Sequence, residues 1–492
     1  MAENQKKNTE RTANRSNREN TGGISREIPL EILLTLEREK QYSNRLIKTV
    51  LDKYDYLDTR DKAFIKRMTE GTLERQQELD YYLNQFSSLP VKKMKPFIRC
   101  LLRMSVYQML YMDSVPDSAV CNEACKLAAK RGFGSLRGFV NGILRNISRN
   151  KDSLPLPEES TEPLKFLSVK YSMPEWLVQF WLEEYGRKIT VAMLAGLMEI
   201  HPVSLRFCGE FSPEEAEELF REIMGRGAVL KESPYLPCVR LLEYGNNIID
   251  LPGFAEGKWT VQDVSSALAV ELAGIRETDF VMDVCAAPGG KSIFAAEKAA
   301  RVLSRDVSEE KTDLIRENVI RMRVENIEVQ TWDATCFDET YEGKADVVLL
   351  DVPCSGLGVM GKKRDIKHHA SREGMESLRT LQKEIARVCS RYLMPGGTLL
   401  YSTCTVNPEE NEEMVRFLTG ELGLIPISLE ESLPELLLKQ KRETEVLRDR
   451  EGRNHGLTVD ERRACIQFLP GYMDADGFFI ARLGKPTACL KG

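Results

Sequence analysis

Two cysteines each follow a run of apolar residues that is typical of a buried β-strand. Cys404 lies in "YSTCTVNPEEN" (401–411), and Cys354 lies in "LLDVPCSGLG" (349–358). If the two strands are neighbours in a parallel sheet, both thiols lie at the same edge of that sheet. A thiolate there could act as a nucleophile, and it is favoured by nearby positive charge or by a helix start. "NPEEN" predicts a helix start, and Lys291 could supply positive charge.

A tight turn is predicted directly after an earlier strand. "DVCAAPGGKS" (283–292) contains Pro288, Gly289 and Gly290, which allow a ligand to approach the backbone closely. A phosphate-binding loop would need glycine at the position of Cys285, so ATP is disfavoured. The G-x-G-x-x-G pattern of dinucleotide sites is absent from this turn as well.

Acidic residues end the predicted strands that follow this turn. Asp306 comes 23 positions after Asp283, where a doubly wound nucleoside site places a carboxylate for ribose hydroxyls. Asp333 ends the next strand and could accept from an adenine amine, and Asp351 ends the one after. Singly, each could be a helix cap or a turn residue. Together they predict a cofactor that contains adenosine without a pyrophosphate, and S-adenosylmethionine is the obvious candidate.

The thiols indicate which atom would receive the methyl group. Methyl transfer to oxygen or nitrogen needs no thiol, whereas carbon 5 of a pyrimidine is a poor nucleophile. A thiolate that adds to carbon 6 makes carbon 5 enamine-like and able to take a methyl group. An amino-group methyltransferase would usually show an Asn-Pro-Pro-aromatic turn where this chain has "DVPC".

Composition predicts a soluble protein of about three domains, because 492 residues exceed one ordinary core. No apolar run is long enough to span a membrane. Twelve cysteines in a chain of this size, with no visible export signal, predict reduced thiols and a cytoplasmic location. Cys121 and Cys125 in "CNEAC" lack zinc-site spacing and are expected to pack inside a helical bundle.

Periodicity divides the chain into five parts. The predicted fold class is multi-domain: a disordered tail (1–24), an all-α bundle (25–150), a linker (151–164), a small α+β module (165–250) and a C-terminal α/β Rossmann-like domain (251–486). In the last domain strands and helices alternate, which predicts a mostly parallel, doubly wound sheet. Its final two strands, "ACIQFLP" and "GFFIARL", should form an antiparallel hairpin. The charged stretch 438–464 is expected to be a mobile surface excursion.

One segment of the helical part is strongly basic although the net charge of the chain is −6. Residues 126–150 contain no acid and six cations: Lys126, Lys130, Arg131, Arg137, Arg145 and Arg149. Local charge rather than total charge governs binding to a phosphate backbone. The segment is either an RNA-binding surface or a solvated helix face.

With these motifs together, the chain resembles a known family. "DVCAAPGGKS", "DVPCSGLG" and "YSTCTVNPEEN", supported by "WTVQDVSSALA" and "DGFFIARL", look like the RNA cytosine-5 methyltransferases of the RsmB (Fmu, Sun) type. "LYMDSVPDSAVCNEACKLAAK" and "GFVNGILRNISRN" resemble the helical RNA-binding fold of the antitermination factor NusB. The likeness covers nearly the whole chain from residue 25. It implies a class I methyltransferase fold and transfer to a cytosine of 16S rRNA, free or in an early small-subunit particle.

The resemblance implies a role for each motif residue. Cys404 is the nucleophile, Cys354 assists release of the methylated product, and Asp351 lies near the cofactor and can hydrogen-bond the base. In the DNA cytosine methyltransferases, by contrast, the cysteine of a proline–cysteine motif is the nucleophile. By that analogy the nucleophile of this chain would be Cys354. Asp306 and Asp333 contact ribose and adenine. The S-adenosylmethionine loop comprises Cys285, Ala286, Ala287, Pro288, Gly289, Gly290 and Lys291. Neither a metal, nor DNA, nor a membrane is implied.

The chain departs from the family after Cys354. Arg364 stands where a proline usually precedes the Asp-Ile-Lys element, and His368 stands where a tryptophan usually follows it. We expect this loop to face RNA, and His368 and His369 to be solvated rather than a metal pair. Two alternatives stay open at this point. One is the same chemistry on tRNA or 23S rRNA, and the other is a non-catalytic RNA-binding or antitermination factor.

Overall fold

The computed structural model describes residues 25–39, 43–54, 56–199, 201–209, 211–243, 248–450 and 456–487. The tail predicted to be disordered (1–24) lies outside these ranges. The chain divides by packing into two compact units. The first ends at Trp181 and also contains Lys362–His369, and the second runs from Leu182 to Gly361 and continues from Ala370. The chain between residue 165 and Trp181, assigned above to the small module, therefore packs with the first unit.

The first unit is helical. Its helices are α1 (25–39), α2 (Ser43–Lys53), α3 (Thr59–Glu74), α4 (Gln76–Phe86), α5 (Pro96–Tyr111), α6 (Asp117–Lys130), α7 (Arg137–Asn150) and α8 (Pro163–Lys170). The α5 helix is apolar on nearly every face and is accordingly buried along most of its length. Cys121 and Cys125 lie buried on α6, as predicted. The described part of residues 25–150 contains no strand, which confirms the all-α prediction.

The second unit begins with a small antiparallel sheet. Helix α9 (Glu175–Gly196), which is broken at Gly186, precedes it. The strands are β1 (Val203–Phe207), β2 (Val229–Glu232), β3 (Val239–Glu243) and β4 (Trp259–Val261), in the order β2-β3-β1-β4. Helix α10 (Pro213–Gly225) joins β1 to β2 and begins with a capping box, in which Ser212 and Glu215 satisfy each other's backbone amides.

A larger mixed sheet forms the rest of the second unit. Its strands are β5 (Phe280–Asp283), β6 (Arg301–Asp306), β7 (Ile327–Thr331), β8 (Ala345–Asp351), β9 (Leu393–Thr403), β10 (Ile425–Pro426), β11 (Cys465–Phe468) and β12 (Phe478–Gly484). The order is β10-β12-β9-β8-β5-β6-β7, and β11 pairs with β12. Strands β5 to β9 are parallel neighbours, and β11 and β12 form the predicted antiparallel hairpin.

Helices cover this sheet. They are α11 (Val264–Leu272), α12 (Gly290–Ala296), α13 (Glu309–Met322), α15 (Arg372–Cys389), α16 (Glu412–Gly420), α17 (Glu435–Arg450) and α18 (Val459–Arg463), whereas α14 (Ile366–His369) belongs to the first unit. The prediction of a mobile excursion at 438–464 is wrong for the described residues. Arg448 of α17 forms a buried ion pair with Glu412 at 2.7 Å, which anchors this helix. No helix in the described ranges is long and apolar enough to cross a membrane.

Candidate active site

The register of two neighbouring strands brings the cysteine motifs together. Asp351 at the end of β8 lies opposite Ser402 on β9. Cys354 and Cys404 follow three and two positions later, and their Sγ atoms lie 3.3 Å apart. The backbone N–H of Gly358 donates to the carbonyl of Cys404 at 3.1 Å, so the two loops are also joined through the backbone. Both thiols are half-buried.

Cys354 is held as a neutral thiol. Its hydrogen bond with Cys404, its burial and the negative charge of Glu410 together raise the pKa of the Cys354 thiol well above its usual value. A neutral thiol next to a second sulfur can donate an S–H hydrogen bond to it. The two cysteines are therefore not equivalent. Cys354 is suited to donate a proton, which leaves Cys404 as the sulfur able to act as a thiolate.

Lys291 supplies the positive charge expected near these thiols. Its Nζ donates to Asp351 Oδ2 at 2.7 Å. Burial alone would lower the pKa of Lys291, but Asp351, Asp283 and Cys404 together raise it above its usual value. The other carboxylate oxygen of Asp351 accepts from Ser402 Oγ at 2.7 Å. Asp351 is thus fixed through both oxygens, and an ammonium group close to Cys404 favours its thiolate.

The helix start predicted at "NPEEN" does not reach Cys404. Helix α16 begins at Glu412, with Asn411 as its N-cap, eight positions after Cys404. The intervening residues instead form a buried turn, in which Asn411 Nδ2 donates to the carbonyl of Thr405 at 3.0 Å. Positive charge from Lys291, rather than the end of a helix, is therefore the feature that favours a thiolate here.

The predicted cofactor loop has the conformation that its glycines imply. Gly289 adopts φ +99, in the left-handed region, and a Cβ atom there would come within 3.2 Å of Ile315. The N–H of Ala287 donates to Asp306 Oδ2 at 2.9 Å, which ties the loop to the end of β6. Asp306 Oδ1 accepts from Lys311 Nζ at 2.9 Å. A turn that tolerates no side chain beside a strand-end carboxylate suits a ligand that bears ribose hydroxyls.

Two further members of the loop region are deeply buried. Burial raises the pKa of Cys285 well above its usual value, so this thiol is not a second nucleophile. Burial also raises the pKa of Asp283 to about 7, with Ser292 as its hydrogen-bond donor. Asp283 Oδ1 has no hydrogen-bond partner among the described residues. A buried carboxylate oxygen without a hydrogen-bond partner, next to the loop, fits a site in which a bound ligand donates the missing hydrogen bond.

Asp333 lies in a different setting from Asp306. It is exposed just after β7, and its Oδ1 accepts from both the backbone N–H and the hydroxyl of Thr335. This is the turn-forming role considered above as an alternative. One oxygen of Asp333 is therefore used locally, and its assignment to adenine stays a prediction.

Only half of the predicted basic cluster is free to bind anions. Lys126, Lys130 and Arg131 form ion pairs with glutamates. The other three arginines line a groove of about 960 Å³ between α6 and α7 and pair with no acid among the described residues. The groove is lined by Pro116, Asp117, Ser118, Ala119, Cys121, Asn122, Cys125, Arg137, Gly138, Asn141, Arg145, Ser148 and Arg149.

The prediction that the loop around His368 faces RNA is wrong for Lys367 and His368, whose side chains are bonded within the helical unit. Residues Lys362–His369 belong to that unit, and Lys362, Lys363 and His369 are exposed. Lys367 is buried and donates to the carbonyls of Glu74 and Ser172 at 2.5 and 2.6 Å. The bond to Glu74 satisfies a carbonyl that α3 leaves free at its end. A ring nitrogen of His368 lies 2.9 Å from the carbonyl of Leu73, so His368 is not a solvated residue, whereas His369 is exposed.

Two residues at the site, Ser402 and Glu410, were not predicted. Ser402 fixes Asp351, and Glu410 lies behind the two cysteines. Ser402 could have been predicted from the sequence, because it lies opposite Asp351 when β8 and β9 are paired as parallel neighbours. Glu410 had no such signal, because a glutamate in "NPEEN" is typical of a solvated first helical turn.

The chain is similar in sequence to known proteins over most of its length. Residues 270–484 match the family 16S rRNA methyltransferase RsmB/F, and residues 24–149 match the NusB family. Probable ribosomal RNA small subunit methyltransferase B of Bacillus subtilis is 34% identical over 467 residues, covering 94% of this chain and 98% of that protein. Ribosomal RNA small subunit methyltransferase B of Cronobacter sakazakii is 30% identical over 444 residues, covering 89% and 94%.

Solved structures show the same fold. The crystal structure of PH0851 superposes with a TM-score of 0.73 at 22% identity, covering 94% of this chain and 99% of that one. NSun6 from Pyrococcus horikoshii, solved with SFG, superposes with a TM-score of 0.53 at 20% identity, covering 63% and 98%. The predicted combination of a NusB-like all-α part and an α/β methyltransferase domain is confirmed.

Proposed function

The chain belongs to the RsmB/F family of 16S rRNA methyltransferases, and we propose that it methylates carbon 5 of a cytosine in 16S rRNA through a covalent bond between Cys404 and carbon 6. That it is an rRNA methyltransferase follows from the family. The finer chemistry is supported above all by one observation. Two sulfur atoms lie 3.3 Å apart, beside an ammonium–carboxylate pair, at the carboxyl edge of a parallel sheet.

The first step forms a carbon–sulfur bond. The thiolate of Cys404 adds to carbon 6 of the cytosine, and the electron pair of the C5–C6 bond moves so that carbon 5 becomes nucleophilic. We assign to Asp351, which is held by Lys291 and Ser402, a hydrogen bond accepted from the amino group of the cytosine, which orients the ring for attack. The target base has to leave its stack, because the thiolate needs access to the face of the ring.

The cofactor is held by the loop after β5. When bound there, S-adenosylmethionine would supply an electrophilic methyl group to carbon 5, and its sulfur would keep the electron pair of the broken bond as S-adenosylhomocysteine. Gly289 provides the left-handed turn of the loop, and the Asp306 carboxylate is assigned to the ribose hydroxyls. Asp333 is assigned to the adenine amine, and Cys285 to Lys291 form the loop itself. Support from outside this chain comes from the neighbour solved with SFG, an analogue of S-adenosylmethionine.

Release reverses the first addition. A base removes the proton from carbon 5, the carbon–sulfur bond breaks, and its electron pair returns to Cys404. The neutral Cys354 thiol, 3.3 Å away, donates a hydrogen bond to the departing sulfur and stabilises its negative charge. Cys354 thus assists product release, whereas Cys404 makes the covalent bond.

The helical unit is proposed to hold RNA through its phosphates. Three arginines without acidic partners line one groove, where a polyanion would release counterions on binding. None of the eleven described cysteines forms a disulfide, which supports a cytoplasmic location. The alternative of a non-catalytic factor is disfavoured by the family, whose named members are methyltransferases.

The test is methyl transfer from labelled S-adenosylmethionine to unmodified 16S rRNA, 23S rRNA and tRNA, followed by bisulfite sequencing. We expect one newly protected cytosine in 16S rRNA with the wild type and none with Cys404→Ala. A protected cytosine found only in 23S rRNA or tRNA would show that this RNA, and not 16S rRNA, is the substrate. Label incorporated without any protected cytosine would overturn the carbon-5 chemistry.

A further inference from the structure

A buried glutamate lies directly behind the two cysteines. Glu410 is fully buried, and both of its carboxylate oxygens accept hydrogen bonds. Oε1 accepts from the hydroxyl of Ser355 and from Asn407 Nδ2, the latter at 2.9 Å. Oε2 accepts from the backbone N–H of Ser355 at 2.9 Å and from Gln382 Nε2 at 3.0 Å.

These bonds connect the loop of one cysteine to the loop of the other. Ser355 directly follows Cys354, whereas Glu410 belongs to the turn that begins at Cys404. The hydroxyls of Ser355 and Thr405 also lie 2.8 Å apart, so the residues that follow the two cysteines are bonded to each other. The connection is therefore made immediately next to both sulfur atoms.

Glu410 is itself rigidly held. The hydroxyl of Tyr401 on β9 donates to its backbone carbonyl at 2.6 Å. All four groups that reach its carboxylate are N–H or O–H donors, which is the arrangement that an ionised carboxylate requires. A buried carboxylate without a cation is costly unless donors surround it. Such a group is uncommon as mere packing, and none of the steps above uses it.

We propose that Glu410 is a positioning residue that holds the Cys354 loop against Cys404, so that the Cys354 thiol meets the sulfur that departs during product release. The inference rests on the proposed function and adds to it a residue that touches neither RNA nor cofactor. Its negative charge adds a smaller contribution to the raised pKa of the Cys354 thiol, after the hydrogen bond with Cys404 and burial. Without Glu410, addition to the base would still occur, but release would slow.

The decisive variant is Glu410→Gln, which keeps the size of the side chain. Whichever way the amide is turned, its NH₂ group faces at least one N–H donor, so one or two of the four hydrogen bonds are lost; only the Ser355 hydroxyl can turn to accept from it. We expect kcat to fall about 10-fold or more, equivalent to roughly 1.4 kcal/mol of barrier. The KM for S-adenosylmethionine should stay unchanged, and the steady-state fraction of covalent protein–RNA adduct should rise severalfold.

Glu409→Gln is the matched control. Glu409 is the preceding residue on the same turn, and among the described residues its carboxylate pairs with the half-buried Arg379 at 3.5 Å. It should behave like the wild type in kcat and in adduct fraction. If Glu410 only supports the fold, Glu410→Gln should lower cofactor binding and adduct formation together. If Glu410 positions Cys354, the adduct fraction should rise while kcat falls.

A second variant decides the question if Glu410→Gln does not fold. Ser355→Ala keeps the carboxylate and removes only the hydroxyl that bonds Glu410 and Thr405. For Ser355→Ala we expect a smaller effect than for Glu410→Gln, namely a two- to threefold rise in the fraction of covalent protein–RNA adduct. A folded Glu410→Gln enzyme, or failing that Ser355→Ala, with wild-type turnover and adduct would overturn the inference. Absence of methyl transfer by the wild type would instead overturn the proposed function.

Discussion

The Sγ atoms of Cys354 and Cys404 lie 3.3 Å apart because β8 and β9 run side by side with Asp351 opposite Ser402. Fifty positions separate the two cysteines in the chain, yet the parallel register leaves them only a short loop each. Their environments differ, since Cys354 is held neutral while Cys404 shares its surroundings with Lys291. The proposed mechanism uses this asymmetry, because one sulfur attacks and the other assists its departure.

Mild oxidation should join these two thiols. Hydrogen peroxide oxidises the Cys404 thiolate to a sulfenic acid, and Cys354 then displaces water to give a disulfide. We expect loss of methyl transfer, recovery with dithiothreitol, and a peptide that links Cys354 to Cys404 by mass spectrometry. In Cys354→Ser the linked peptide should be absent. Reversible inactivation of the wild type without that peptide would contradict the proximity.

Asp351→Asn should abolish most of the activity while the protein stays folded. The amide removes the negative charge that pairs with Lys291, although its oxygen can still accept from the lysine and its NH₂ group can donate to the Ser402 hydroxyl. We expect methyl transfer to fall by about 10²-fold or more, within the range found for groups that assist proton and charge transfer. Asp313→Asn, on the exposed surface of α13, is the control. Activity within threefold of the wild type would exclude a role for Asp351.

His368 should make the helical unit sensitive to acid. Burial, and then the charge of Lys367, lower its pKa from 6.5 to about 4 in the folded protein. Above pH 6.5 the imidazole is neutral in both the folded and the unfolded protein, so His368 does not favour either state. As the pH falls from 6.5 towards 4, the unfolded protein takes up a proton that the folded protein does not, and the free energy of unfolding decreases. Stability should therefore fall by up to about 3 kcal/mol between pH 6.5 and pH 4.

Urea unfolding at a series of pH values tests this prediction. His368→Gln should flatten the dependence between pH 6.5 and pH 4, because glutamine does not titrate. His369→Gln changes the neighbouring exposed histidine and should leave the dependence as it is in the wild type. Equal slopes for the wild type and for both variants would show that His368 does not carry the effect.

The arginine groove of the helical unit should bind RNA phosphates. Replacing both Arg145 and Arg149 by alanine should weaken RNA binding about 10-fold or more and make its salt dependence shallower. The control replaces Lys126 and Arg131, which already pair with glutamates. Fluorescence anisotropy at several salt concentrations measures both quantities. An equal loss in the two double variants would show that net charge, not the groove, governs binding.

Local sequence patterns predicted the core of the site. Strand periodicity together with the parallel-sheet rule was enough to place Cys354 next to Cys404 and Asp306 beside the loop of Gly289. These relations depend only on which strands are neighbours. The helical part was equally predictable, because its apolar residues recur with helical spacing over long segments.

Contacts between distant parts of the chain could not be predicted in this way. Lys367 caps the end of α3 almost three hundred positions away, and no periodicity encodes that pairing. Glu410 and Arg448 looked like solvated charges, yet burial with suitable partners made both of them structural. Composition describes the average environment of a charged residue, whereas its partners are set by the tertiary fold.

The identity of the nucleophile is tested most directly by trapping the covalent intermediate. The wild type, Cys354→Ala, Cys404→Ala and the double variant are incubated with 16S rRNA and S-adenosylmethionine, and protein–RNA adducts are counted on a denaturing gel. We predict that Cys354→Ala accumulates an adduct, and that Cys404→Ala and the double variant form none. An adduct that survives in Cys404→Ala and disappears in Cys354→Ala would make Cys354 the nucleophile and contradict the account.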